Sequence, residues 1–145
     1  MCSSDLPEPK DPWASLDATA QAALVRRGEA SPGELIEAAC LRIERVDPEL
    51  GAVPIRLFEQ ARIRAGRKSA GGRFAGVPFL MKDVGARQRG QPYYAANRAL
   101  READHRAPAD TPLGARFRQL GLVTVGKSST PEFGLQSNKI GRAHV

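Results

Sequence analysis

The sequence predicts an α/β fold, and three observations carry that reading. Stretches with apolar residues at helical spacing alternate with short apolar runs of strand length. The helical stretches carry their own start and stop residues. No apolar run approaches the length of a membrane span, and no internal repeat or low-complexity tract interrupts the alternation.

Taken in chain order, "ASLDATAQAALVRRGEAS" starts a helix at Ser15, places Leu16, Ala20, Ala23 and Leu24 on one face and stops at Gly28. "SPGELIEAACLRIERVDP" holds a capping box, with Ser31 as N-cap, Pro32 at the first helical position and Glu34 three residues on. Leu35, Ile36, Ala39, Ile43 and Val46 form its apolar stripe, and Asp47-Pro48 is expected to end it. "GAVPIRLF" reads as a short strand, at a sheet edge because of Pro54, and "FEQARIRAGRKSA" returns to helix until Gly71-Gly72 breaks the chain. Val77 to Met81 is expected to be a fully buried strand. From Gly85 to Ala109 periodicity disappears, which predicts a long ordered loop of the kind that often carries function. "DTPLGARFRQL" is a helix with Asp110 as N-cap, Leu113, Phe117 and Leu120 on one face and Gly121 as its stop. Leu122 to Val125, with three β-branched residues, closes the series as a short buried strand.

The net charge is +6, from arginines and lysines spread as Arg26-Arg27, Arg42, Arg45, Arg62, Arg64, Arg67-Lys68, Arg116 and Arg118. Acids are interleaved with them and no aromatic-interleaved patch accompanies them, so they read as a solvated surface and not as a nucleic-acid site. The two ends have a different character. "MCSSDL" and "KIGRAHV" can both be written as translations of one DNA sequence read on opposite strands, and that sequence resembles an adapter used in short-read sequencing libraries. Residues 1–6 and 139–145 are therefore set apart as scars of that adapter. Cys40 is then the single thiol, which fits a reducing, cytoplasmic compartment and supports no disulfide framework.

"GLVTVGKSS" satisfies the phosphate-loop pattern, with Gly121, Gly126, Lys127 and Ser128 in place. Such a loop needs a strand before the first glycine and an irregular turn between the glycines, and this context offers a helix and then a strand. Nucleotide binding is thus a weak alternative. Lys82 follows "VPFLM" directly, at the point where an apolar strand becomes a loop. Desolvation there would disfavour the ammonium and make the amine a usable base, while the plain reading pairs it with Asp83 or sends it to solvent. His105 reads as a surface residue of a polar loop, and Tyr93-Tyr94 as packing or as a channel lining.

The ordered set "LVRRGEASPGELIEAACLRIERVDPEL", "GVPFLMKD", Asp110, "GLVTVGKSSTPEFG" and "LQSN" closely resembles the front portion of the amidase signature family of serine hydrolases, over about residues 13–138. The resemblance implies that residues 7–138 are the N-terminal part of one amidase domain, with a mixed sheet covered by helices. It implies a Ser–cis-Ser–Lys triad with Lys82 as base. Asp83, Ser128, Ser129, Glu132 and Phe133 would lie beside the site, in a segment that also includes Gly126 and Lys127. Ser129 stands where the family usually has Asn. The G-G-S-S-G-G-S signature that supplies both serines and the oxyanion hole is absent from these residues, so the chain alone is expected to be inactive. The family needs no metal or organic cofactor and acts on small amides; an oligomer is open for the intact protein, and no membrane or nucleic-acid partner is implied. "STPEFG" looks more like a general amidase than the transamidating component of glutamyl-tRNA amidotransferase, which is kept as an alternative. A non-catalytic helical interaction module is the alternative from another class.

Overall fold

The computed structural model describes residues 11–67 and 71–135. The two end stretches set apart above lie outside these residues. Helix α1 spans Ala18–Arg27 and begins after Asp17, whose carboxylate accepts the Ala20 N–H at 2.7 Å. This is later than the expected Ser15, because the aspartate supplies the N-terminal acceptor. The residues α1 buries are Gln21 and Ala22, and the face expected from Leu16, Ala20, Ala23 and Leu24 is only half-buried.

Helix α2 spans Pro32–Leu50 and opens with the expected capping box: Ser31 Oγ accepts the Glu34 N–H at 3.2 Å, and Glu34 Oε2 accepts the Ser31 N–H at 2.8 Å. It does not stop at Asp47-Pro48. Pro48 lies in the last turn, where it removes only one ladder bond. The buried Asp47 carboxylate accepts the N–H groups of Ala52 and Val53 at 2.6 and 2.9 Å, so the chain leaves the helix with its donors satisfied. Strand β1 (Ile55–Arg56) and helix α3 (Phe58–Ala65) follow, then β2 (Pro78–Lys82), a short helix α4 (Arg98–Glu102), α5 (Pro112–Gln119), β3 (Val123–Ser128) and a 3₁₀ turn at Glu132–Gly134. The stretch expected to be a plain loop thus contains α4, capped by Asn97, whose side chain accepts the Leu100 N–H at 3.0 Å. At α5 the cap is Thr111, which accepts the Gly114 N–H at 3.2 Å. The expected cap, Asp110, is instead held by the Arg89 N–H at 2.6 Å and by the Arg118 guanidinium at 2.9 and 3.0 Å.

The sheet has the order β1-β3-β2, with β1 antiparallel and β2 parallel to β3, and β1 is at an edge as Pro54 indicated. Ile36 and Cys40 of α2, Phe58 and Ala61 of α3, and Val123 and Val125 of β3 form the core on one face. On the other, Phe79 meets Phe117 of α5 with ring centroids 4.8 Å apart. Both faces are covered, as α/β architecture requires. Leu113, expected on the apolar face of α5, is 52% exposed. β2 is not fully buried either: Met81 is sealed while Leu80 and Lys82 are exposed. The register of β2 on β3 slips by one residue, from Phe79 opposite Thr124 to Leu80 opposite Gly126, leaving Val125 as a bulge. Gly121 ends α5 with φ of +83°, and a side chain there would stand 2.7 Å from Ala75 Cα, so both conformation and space demand glycine.

Candidate active site

Two parallel strands end side by side. The register pairs Lys82 with Ser128 at the C-terminal ends of β2 and β3, the end of an α/β sheet where ligands bind. Lys82 Nζ donates to the Ser129 carbonyl at 3.0 Å, and the Ser129 N–H donates to the Ala52 carbonyl at 2.8 Å, which fixes that acceptor. Lys82, Ser128 and Ser129 therefore form one group at an uncovered end of the sheet.

The burial expected of Lys82 falls on Lys127. Lys82 is exposed, because nothing among the described residues covers its strand end, whereas Lys127 is 0% exposed. Alternation along β2 explains the division: Met81 and Asp83 point to one face, Leu80 and Lys82 to the other. Lys127 lies opposite Met81, with Nζ 3.9 Å from Met81 Sδ, and its neighbouring charge is Asp83. Burial pulls the Lys127 ammonium below the ordinary lysine value, with Asp83 opposing the shift. Burial also pushes the Asp83 carboxyl up, against the N–H groups of Tyr94 and Ala96 and the charge of Lys127. A perturbed lysine near a site invites the role of base. Lys127 has no surface through which a substrate could reach it, and Lys82 does.

Asp83 organises the wall behind the site. It accepts the N–H groups of Tyr94 at 3.1 Å and Ala96 at 3.4 Å, across a turn in which Ala95 and Ala96 have φ of +48° and +53°. Left-handed backbone at alanine is costly and persists only where its surroundings hold it. The Ala95 carbonyl then accepts the Phe133 N–H at 2.8 Å, and Asn97 Nδ2 donates to Glu132 Oε1 at 2.7 Å. Glu132 and Phe133 are thus exposed but tied to the turn that Asp83 holds. The structure unites the six expected site residues in two linked groups, with Asp83 in a local pairing role. Sequence reasoning missed the two buried, opposite charges of Lys127 and Asp83 and the Ala95–Asn97 turn; a lysine inside the apolar run "VTVGK" was the available signal.

The tyrosines are engaged in packing: Tyr94 Oη donates to Asp104 at 2.7 Å, and Tyr93 meets the His105 ring edge-on at 6.4 Å. Gly126, Lys127 and Ser128 lie within an extended strand, so no phosphate-cradling loop forms at "GLVTVGKSS". Among the described residues no group of His, Cys, Asp or Glu is arranged to hold a metal, and no helix is long and apolar enough to cross a membrane.

Comparison with known proteins agrees with the motif order. The amidase family model matches residues 34–140. The chain is 44% identical over 120 residues to 6-aminohexanoate-cyclic-dimer hydrolase from Paenarthrobacter ureafaciens, covering 83% of this chain and 24% of that protein. It is 37% identical over 131 residues to a subunit of glutamyl-tRNA(Gln) amidotransferase from Salinispora arenicola (strain CNS-205), covering 86% and 26%. A solved structure of 6-aminohexanoate cyclic dimer hydrolase complexed with substrate superimposes with a TM-score of 0.77 at 44% identity, over 87% of this chain and 25% of that one. The chain therefore spans about a quarter of the length of the curated relatives it matches. With the family model spanning β2, β3 and the Lys82 strand end, and with a matching α/β arrangement of helices and sheet, the chain belongs to the amidase signature family.

Proposed function

We propose that this chain contributes the lysine-bearing wall of an amide hydrolase, with Lys82 as the base of a Ser–cis-Ser–Lys triad. The observation that carries the reading is the placement of Lys82: it is the exposed amine at the paired C-terminal ends of β2 and β3, held at 3.0 Å by the Ser129 carbonyl. The two serines would come from sequence that these 145 residues do not contain. In the acyl transfer, the Lys82 amine accepts, through the bridging serine, the proton of the nucleophilic serine as that oxygen attacks the amide carbonyl. Backbone donors stabilise the oxyanion, and the relay returns the proton to the departing amine; water then releases the acyl group. Identity with a cyclic-dimer amide hydrolase makes small amides the substrate class to assay first, ahead of transamidation on glutamyl-tRNA. Cys40, the one cysteine among the described residues, is buried and free, which supports a reducing cytoplasm as the compartment.

The test extends the chain with a serine-rich segment of the family type and measures hydrolysis of a simple aryl amide. Lys82→Ala is expected to lower turnover by on the order of 10³-fold or more in the extended protein, and the 145-residue chain alone is expected to show none. Lys82-dependent turnover by the short chain, or full activity in the extended Lys82→Ala protein, would overturn the reading.

A further inference from the structure

A second concavity opens at the other end of β3. Thr124 lies four residues before Ser128, about 13 Å along an extended strand, so this place is separate from the Lys82 strand end. The cavity, of about 360 Å³, lies between α3, the stretch 88–91, the end of α5 and the start of β3. Four arginines line it: Arg64 in the last turn of α3, Arg67 just beyond it, Arg89, and Arg118. Arg118 is paired with Asp110, and the charge of Arg89 also acts on that carboxylate. Arg64 and Arg67 have no ion pair among the described residues. Two of the four guanidiniums thus act on one carboxylate, and no carboxylate lines the hollow itself. An isolated group of surface arginines would favour dispersal, since like charges repel and each can be solvated separately.

A second observation points into the same hollow. Thr124 lines it, is only 7% exposed, and its Oγ1 has no hydrogen-bond partner. Buried hydroxyls are nearly always paired, and one left open beside a concentration of cations is a donor awaiting an acceptor. Gln91 Oε1, also without a partner, lines the cavity too and offers an acceptor for a phosphate hydroxyl. Guanidinium forks match the oxygens of phosphate in bidentate geometry, and the thin supply of carboxylate leaves them free to do so.

We propose that this cavity is a binding site for the phosphate group of a small molecule, held by Arg64, Arg67 and Arg89 with the Thr124 hydroxyl at its base. The site is independent of the amide-hydrolase reading, since it uses none of the same residues. The experiment is calorimetric titration of the 145-residue chain with inorganic phosphate at low ionic strength. A saturable one-site isotherm is expected, weakened about tenfold by Arg64→Ala or Arg89→Ala and several-fold by Thr124→Val, on the usual strength of charge-assisted and neutral hydrogen bonds. Arg89→Lys should fall between, because it keeps the charge and loses the fork. Arg27→Ala, whose residue pairs with Glu29 away from the cavity, should bind as the parent does. Both arginine sites are exposed, so their variants are expected to fold, and circular dichroism checks that they do. No saturation, or equal weakening by Arg27→Ala, would reduce the effect to general basic charge and overturn the proposal. Binding by this chain but not by a longer protein containing it would assign the hollow to a carboxylate of the same polypeptide, and would overturn it equally.

Discussion

Replacing Lys127 by methionine removes a charge with little change in volume and isolates what the buried charge pair contributes. Removing one partner of a buried pair costs about 3–5 kcal/mol, because the other charge is left uncompensated. Here the expected loss at pH 7 is smaller, about 1 kcal/mol, since Lys127 and Asp83 act on each other as neighbouring charges without a direct ion pair, and Asp83, 3% exposed, keeps the N–H donors of Tyr94 and Ala96. Methionine also leaves no cavity beside Met81. Adding Asp83→Asn should restore most of the loss, giving a coupling of about 1 kcal/mol in the double-mutant cycle. The pH dependence has a definite sign. The Asp83 carboxyl titrates above its unfolded value in the parent, and loss of the Lys127 charge raises it further. Its ionised form therefore penalises the folded state, and the penalty disappears as pH falls through the folded-state value. The Lys127→Met deficit should shrink from pH 7 toward acid. Urea unfolding followed by the fluorescence of Trp13, the single tryptophan, measures each of these quantities. A variant as stable as the parent at pH 7, or a double variant whose losses simply add, would refute the reasoning.

Gly126→Ala should destabilise by about 1–3 kcal/mol in the same assay, because a Cβ there would stand 2.7 Å from Val53 Cγ1 and 2.9 Å from the Ile55 carbonyl. Ser31→Ala should cost about 1 kcal/mol through loss of the capping box, measured by thermal melting. Lys82→Met should leave stability within about 0.5 kcal/mol, since its side chain is exposed, and so separate any catalytic effect from folding. Cys40 is 0% exposed and its thiol is pushed up to about 11 by burial, so alkylation at pH 8 should proceed only on unfolding, followed by mass spectrometry with and without urea.

What could be read from the sequence were features set by local chemistry. The Ser31 box, the Gly28 and Gly121 stops and the edge strand at Pro54 each depend on residues within one turn of one another. Where expectation failed, a partner distant in sequence usually decided. Asp110 looks like a cap until Arg89 and Arg118 claim its carboxylate, and Thr111 takes over. Pro48 looks like a stop until the Asp47 side chain accepts the donors that follow the helix. Lys82 reads as the buried lysine because its strand is apolar, yet which side of that strand is covered is a property of the sheet. The two left-handed residues of the turn, Ala95 and Ala96, are neither glycine nor asparagine and do not announce it, and the Asp83 carboxylate that holds it lies a dozen residues back.

The slipped register at Val125 decides the fate of both lysines. In an unbroken strand Val123, Val125 and Lys127 share parity, and all three would project toward α2 and α3. One unpaired residue reverses that parity for everything after it, which sends Lys127 to the side of Met81 and Asp83 and leaves Ser128 beside Lys82. The bulge therefore works as a spare count in the strand. Deleting Val125 would use that spare up: Gly126, Lys127 and Ser128 could keep their partners on β2, and the loss would be one buried valine and the bond its carbonyl accepts from the Leu57 N–H. Adding a residue between Gly126 and Lys127 has no such remedy, because it would turn the ammonium toward Ile36 and Phe58 while stripping Asp83 of its counter-charge. The strand is expected to tolerate shortening by one and to resist lengthening by one, an asymmetry that its composition alone does not contain.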